Sequence, residues 1–238
     1  NLINDGCGAL HPEKLCREVV RNNADMGLCF DGDADRVIAC DEKGNVVNGD
    51  QIIFILARAL KTADALPFST VVGTLHTNMG VEADLKNLGI DLVRTDIGDH
   101  NVIRRRGDAG LSLGGEQSGH IILRDFSQTG DGILAGAFLA RKVKESGKPL
   151  SALNDCNLYP QSNTEIITCN KEKIARDKTL LRYVETVEDM LGDSGRVMLR
   201  PSGTESKLRI MAESKDDFLA RFAARSIELF IRNNYELN

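Results

Sequence analysis

The stretch STVVGTLHTNMGVEADLKNLGIDLVR, residues 69–94, decides the fold class. STVVGTL reads as a strand, GVEADLKNLG as a helix ending at Gly89, and IDLVR as a second strand. Strands alternating with helices of this length imply βαβ units and a mainly parallel sheet.

The same alternation continues on both sides. Upstream, QIIFILARAL is a strongly apolar helix; downstream come a short helix, NVIRRRG, and two strands, GLSLGGE and HIILRD, bracketing a glycine-rich turn. GDGILAGAFLARKVKESG is a helix closed by Gly147. The first fifty residues read as a short strand (LIND), a glycine-rich turn, and a helix over HPEKLCREVVRNN with Leu15, Cys16, Val19 and Val20 on one apolar face. MGLCF and RVIAC follow as strands, and DEKGN supplies the turn before VVNGD.

Residues 148–163, KPLSALNDCNLYPQSN, carry two prolines and little periodicity, and a domain boundary is expected there. After it come a strand (TEIITC), a helix with a stripe of Leu180, Leu181, Val184, Val187 and Leu191, a strand pair (GRVMLR and KLRIMAES) and a last helix. Paired strands with helices beside them suggest a small α+β layer.

Composition narrows the function classes. The chain has 238 residues, 42% hydrophobic and 27% charged, with a net charge of −5, so no global basic field favours nucleic acid. No apolar run approaches the roughly 20 residues needed to cross a bilayer. The opening NLINDGCG lacks the basic and apolar regions of a secretory signal and an initiator Met, and the chain is expected to be a fragment. Six scattered cysteines with no CxxC pair read as reduced, half-buried small hydrophobes in a cytoplasmic protein.

Three loops carry the chemistry. In FDGDADRVIAC, residues 30–40, Asp31, Asp33 and Asp35 alternate and Arg36 follows. Two unit charges about 4 Å apart repel by about 1 kcal/mol in water and about 4 kcal/mol at an effective dielectric of 20, so a convergent trio would oppose folding. A divalent cation turns that repulsion into attraction, and Gly32 and Ala34 suggest a backbone that curls. An EF-hand would need Gly where Arg36 stands and helices where the flanks read as strands. A solvated acidic turn without metal is the bland alternative. Arg36 beside a cation site can hold a phosphate by bidentate hydrogen bonds.

In GGEQSGH, residues 114–120, Glu116, Ser118 and His120 alternate and could face one cavity. A carboxylate, a hydroxyl and an imidazole match a sugar's vicinal hydroxyls; a polar hairpin tip is the alternative. In RPSGTESKLRI, residues 200–210, Arg200, Ser202 and Thr204 alternate around Gly203, and with Arg209 they make a phosphate cradle that is not a Walker loop.

DGDADR, GGEQSGH and RPSGTE, in this order, resemble the three signature loops of the α-D-phosphohexomutases. Gln117, the run TGDGILAG at 129–136 and the opening INDGCGALHPE resemble the phosphoglucosamine mutase subfamily, with phosphomannomutase and phosphoglucomutase as alternatives. The resemblance implies an α/β fold of repeated phosphohexomutase-type domains with a mainly parallel mixed sheet, plus a small C-terminal α+β domain. It places the end of domain 2 at 1–47, domain 3 at 48–157 and domain 4 at 158–238. It implies that Asp31, Asp33 and Asp35 bind Mg2+, with Arg36 beside a phosphorylated nucleophile and, with His120, in the catalytic set. Glu116, Gln117 and Ser118 would hold the sugar, and Arg200, Ser202, Gly203, Thr204 and Arg209 the phosphate that is not being transferred.

There are two departures. His100, in TDIGDHNV, stands where the subfamily usually shows Arg, and no TASHNP-like serine loop occurs in the chain. The expected reaction is an intramolecular phosphoryl transfer between glucosamine 6-phosphate and glucosamine 1-phosphate, through a phosphoserine outside these residues. A sugar-phosphate-binding module or a structural calcium site are the readings from other classes. The expected partners are a small-molecule sugar phosphate, N-terminal domains of the same protein and, as one option, a second copy in a homodimer; neither nucleic acid nor a membrane is expected.

Overall fold

The computed structural model describes residue 3 and residues 5–237. They form two compact units, residues 1–157 and 158–238. Of the strand expected over 2–5, residues 2 and 4 lie outside the described residues, while Ile3 sits in a turn and Asp5 in a bend.

The first unit opens with α1 (Glu13–Arg21), then β1 (Met26–Phe30), β2 (Val37–Asp41) and β3 (Val46–Val47). These strands make an antiparallel meander, with Phe30 opposite Val37 and Ala39 opposite Val47. The reason is loop length: hairpin turns as short as 42–45 return the chain antiparallel, whereas parallel pairing needs a long crossover. Cys16 and Val19 of α1 are buried, but Val20 is half exposed, so the apolar face is narrower than the sequence suggests.

Next come α2 (Gly49–Thr62), β4 (Thr70–Thr74), α3 (Met79–Asn87), β5 (Asp91–Thr95), α4 (Asp99–Ala109), β6 (Leu113–Gly115), β7 (Ile121–Leu123), α5 (Gly132–Ser146) and α6 (Leu150–Leu153). The sheet order is β5-β4-β6-β7; β4 pairs parallel with both β5 and β6, and β6 pairs antiparallel with β7. The βαβ reading of 69–94 therefore holds, and the mixed sheet takes its antiparallel edge from the tight turn between β6 and β7. Alternate residues of β4 point to opposite faces. Val71 joins the cluster built on α2, α3 and α5, with Ile55, Val81, Leu85 and Leu139, while Val72 joins Val102, Leu111 and Ile122 beside α4.

The second unit comprises β8 (Gln161–Ile167), α7 (Lys171–Ala175), α8 (Lys178–Leu191), β9 (Gly195–Pro201), β10 (Lys207–Ser214) and α9 (Asp217–Asn234). The strands form an antiparallel sheet, β8-β10-β9. Leu180, Val184, Val187 and Leu191 of α8 pack with Ile227 and Ile231 of α9 over Ile166, Leu208 and Ile210. Leu181 is 42% exposed and stands off the stripe expected to include it. No disulfide links the described cysteines: Cys16, Cys29 and Cys40 are buried, Cys7 and Cys156 half-buried and Cys169 exposed. Among the described residues, no helix is long and apolar enough to cross a membrane.

Candidate functional site

The acidic loop is the tip of the β1–β2 hairpin. Ala34 takes the left-handed conformation (φ +59°), rare outside glycine, and its N–H donates to Asp31 O at 3.1 Å. That curl takes the three Asp out of the alternation of a flat strand. Ligand oxygens of Asp31, Asp33 and Asp35 lie within 4.8 Å of one another. Arg36 closes the loop: its backbone N–H donates to Asp31 Oδ1 at 3.1 Å. Its Nε lies 3.6 Å from Asp31 and 3.7 Å from Asp35, too far to hydrogen-bond either, and its side chain is 41% exposed.

Burial, then the hydrogen bond and charge of Asp31 and the charge of Asp33, push the Asp35 carboxyl above its usual range, with His120 acting against them. Those strained anions are the environment that a hard divalent cation relieves, and all-oxygen carboxylate donors suit magnesium. The residues present therefore fit the ion that the sequence implies. Asp31 and Asp35 are partly buried and Asp33 is exposed, which leaves one side of the trio open to a ligand.

The second loop is locked to the first through the backbone. Arg36 and His120 form an isolated antiparallel bridge, and Val37 N–H donates to Gly119 O at 3.0 Å. Gly119 is required here: it has φ +95°, and a Cβ would stand 2.3 Å from Val37 O. Residues 116–119 make a tight turn, with Gly119 N–H donating to Glu116 O and Glu116 N–H to His120 O, each at 3.0 Å.

That turn corrects one expectation. Alternation points side chains together only along an extended strand, and residues 116–119 form a turn, so Glu116 and His120 have partners on different segments. Glu116 is half-buried, and its Oε1 accepts from Gly98 N–H at 3.1 Å. Ser118 is exposed, and Gln117 is half-buried with its carbonyl accepting from Gly49 N–H at 3.0 Å. His120 is 2% exposed and points into the acidic loop, with Nδ1 3.0 Å from Asp35 Oδ2. A carboxylate holding a cation is ionised and only accepts, so in that state Nδ1 would donate this bond; Nε2 is buried without a hydrogen-bond partner among the described residues.

Sequence reasoning missed the loop that covers this imidazole. Gly130 lies against the ring, where a Cβ would be 2.3 Å from His120 Cε1. Gly132 N–H donates to Ala34 O at 2.9 Å, and a Cβ on Gly132 would be 2.4 Å from Arg36 O. The buried Arg106 anchors the loop by donating from Nη2 to Gln128 O at 3.1 Å. The glycines of TGDG, read only as a subfamily likeness, were the visible signal. His100 is 77% exposed, beside Asp99 at the start of α4.

In the second unit, Arg200 and Arg209 are cross-strand partners. Gly203 and Thr204 are exposed, and a Cβ on Gly203 would meet nothing within 4 Å. Ser202 is buried, and its hydroxyl accepts from Glu205 N–H at 3.3 Å. Arg209 pairs with Glu165 at 3.1 Å and Glu205 at 2.7 Å. The fork expected for phosphate is thus held by two carboxylates, and Ser202 bonds within the loop. Burial, followed by the Arg209 charge, holds the Arg200 guanidinium below its ordinary range. Lys171 was also missed: its ammonium donates to Ser202 O at 2.5 Å and Glu205 O at 2.7 Å, fixing both ends of the turn.

The comparisons with known proteins point in one direction. Residues 48–159 match the family model described as phosphoglucomutase/phosphomannomutase, alpha/beta/alpha domain III, and residues 162–228 match the C-terminal domain of the same family. The phosphoglucosamine mutase of Thermoanaerobacter sp. (strain X514) is 47% identical over 234 residues, 97% of this chain and 52% of that protein. The phosphoglucosamine mutase of Oceanobacillus iheyensis is 47% identical over 214 residues, 90% of this chain and 48% of that protein. The chain spans about half the length of these relatives. Among solved structures, a phosphoglucomutase/phosphomannomutase family protein from Burkholderia thailandensis superposes with a TM-score of 0.78 at 19% identity, covering 97% of this chain and 52% of that one. Aspergillus fumigatus N-acetylphosphoglucosamine mutase, in complex with GlcNAc-6P and magnesium, gives 0.75 at 17% identity, covering 95% and 53%. At those identities the likeness is one of fold.

Proposed function

The chain belongs to the phosphoglucomutase/phosphomannomutase family, and on that premise we propose that residues 1–238 supply the metal, sugar and phosphate loops of a cytoplasmic enzyme interconverting glucosamine 6-phosphate and glucosamine 1-phosphate. The observation that carries the reading is the acidic loop: three carboxylates converge beside a guanidinium whose Nε has no hydrogen-bond partner among the described residues, and the buried His120 imidazole contacts Asp35.

Asp31, Asp33 and Asp35 hold magnesium, which when bound neutralises charge on a transferring phosphoryl group. Arg36 aims its exposed guanidinium at the phosphoryl oxygens, where charge spreads in the transition state. In the first half-reaction the P–O bond to an enzyme serine breaks as a P–O bond to a sugar hydroxyl forms, and the hydroxyl proton ends on the freed serine oxygen; the second half-reaction reverses these changes at the other sugar oxygen. The bisphosphorylated sugar then turns over, and its other phosphate returns to the serine. Glu116, already fixed by Gly98 N–H, and the exposed Ser118 meet sugar hydroxyls, with Gln117 between them. Arg200, Arg209, Ser202, Gly203 and Thr204 receive the distal phosphate, which competes with Glu165 and Glu205 for Arg209. His120 serves the site through Asp35.

These residues include no TASHNP-like serine loop, so the chain alone is expected to bind magnesium and glucosamine 6-phosphate without turning it over. The full-length protein is expected to turn over glucosamine 6-phosphate in preference to the glucose and mannose analogues. Asp33→Asn is expected to abolish magnesium binding by calorimetry together with that turnover. Full activity in an Asp33→Asn protein that no longer binds magnesium would leave the acidic loop a structural site and overturn the reading.

A further inference from the structure

Helix α3 leaves β4 on the sheet face that carries Val71, and α4 leaves β5 on the face that carries Val72. β4 and β5 pair in parallel up to Thr74 and Thr95, so their carboxyl ends open on one edge of the sheet, and open α/β sheets bind ligands beyond the carboxyl ends of their strands. A cavity of about 670 Å³ opens there, lined by Thr95 and Asp96 at the end of β5 and by Asn101, Arg104 and Arg105 on α4.

Arg94 also reaches the cavity but belongs to the fold: it donates to the carbonyls of Thr74 and Thr77 and pairs with Glu82 at 2.6 Å. Arg104 and Arg105 are different. Both are exposed, and among the described residues neither guanidinium has an ion-pair or hydrogen-bond partner. The Asp96 carboxylate, on a separate element, is likewise exposed and without a partner. Asp108, exposed and one turn beyond Arg104 on α4, lines the crevice too, and two uncommitted cations with two uncommitted carboxylates form a template for a ligand carrying both signs of charge. The crevice also adjoins the sugar turn, since Gly98, two residues after Asp96, donates to Glu116.

We propose that this crevice binds a small molecule bearing both a phosphate and an ammonium group, with Arg104 and Arg105 on the phosphate and Asp96 on the ammonium. The ligand's identity rests on the proposed reaction, whose substrate is an amino-sugar phosphate; because that reaction places the substrate's phosphate on residues 200–209, the crevice is a second site, at which Asp96 favours an amine over a hydroxyl. Guanidinium forks suit phosphate oxygens, and a carboxylate gains from an ammonium what it cannot gain from a neutral hydroxyl.

The test is a titration of the isotope-labelled 238-residue chain with glucosamine 6-phosphate, glucose 6-phosphate and inorganic phosphate, followed by amide shifts. Saturable shifts across residues 95–105 are expected, with glucosamine 6-phosphate binding more tightly than the other two. Arg104→Gln with Arg105→Gln should weaken it at least about 10-fold, the cost of losing charge-assisted hydrogen bonds. Asp96→Asn should erase the preference for the amine while glucose 6-phosphate binds as before. All three positions are exposed, and unchanged amide dispersion confirms that each variant folds. Shifts confined to residues 31–36 and 116–120, or unaltered affinity in the double variant, would overturn the proposal. The reaction fails separately: a full-length protein inactive on glucosamine 6-phosphate whose crevice still binds it sinks the mutase reading and leaves the crevice standing.

Discussion

At the scale of single residues, His120 has the most specific consequence. Its burial, its 3.0 Å contact to Asp35 and the glycine pressed on its other side hold one carboxylate oxygen still. Side chains that orient a metal ligand typically contribute 10–100-fold in metal affinity. His120→Asn is therefore expected to lower magnesium affinity about 10-fold or more, read by calorimetry on the folded variant. Unchanged affinity would show that His120 is packing and nothing else. The convergence of the three carboxylates was legible in the sequence, because Gly32 and Ala34 among alternating Asp residues suggest a backbone that curls. The role of His120 was not legible. Its partner lies 85 positions away, and the backbone bridge between residues 36 and 120, with Val37 N–H on Gly119 O, brings the two together.

At the scale of elements, the start of α2 joins the loops. Asn48 and Gln51 form a reciprocal capping box, with Asn48 Oδ1 accepting from Gln51 N–H at 3.1 Å and Gln51 Oε1 from Asn48 N–H at 3.0 Å. Gly49 then passes so close to the sugar turn that a Cβ would stand 2.0 Å from Glu116 O. Alanine is the better helix former by about 1 kcal/mol in a helix interior, so propensity alone favours Gly49→Ala. The steric argument reverses the sign, since the turn at residues 116–119 must move. Gly49→Ala is expected to lower both the melting temperature and the affinity for glucosamine 6-phosphate. A rise in melting temperature with binding intact would remove the claim that α2 sets the turn. The helix itself was plain from the apolar run QIIFILARAL, as were the βαβ strands on either side of α3. What local sequence could not show was which faces remain bare: Val20 and Leu181 are helix-spaced with buried neighbours yet stand at the edge of what the sheet covers. The carboxylates around Arg209 were hidden for a similar reason, because Glu165 reaches it only through the pairing of β8 with β10.

At the scale of the molecule, residues 158–238 have a hydrophobic cluster of their own. The sheet β8-β10-β9 contributes Ile166, Leu208 and Ile210, and α8 and α9 close over it with Leu180, Leu191, Ala223, Ile227 and Ile231. Its strand pairings are antiparallel, and each joins two strands of the unit itself. Domains of this size are near the lower limit at which a single core offsets the chain entropy, so the cluster must be well packed to suffice. Residues 158–238 expressed alone are therefore expected to unfold cooperatively in urea. Ile227 is fully buried, and its replacement by Ala removes methyl groups that the surrounding helices cannot refill. The expected loss is about 2–5 kcal/mol, a large share of what a unit of this size holds. A featureless urea response from the isolated residues, or an Ile227→Ala variant as stable as the parent, would mean that this cluster does not suffice to fold the loop proposed to hold phosphate. In that case Lys171, Glu205 and Ser202 could not pre-form the turn before ligand arrives, and the distal phosphate would have to order it on binding.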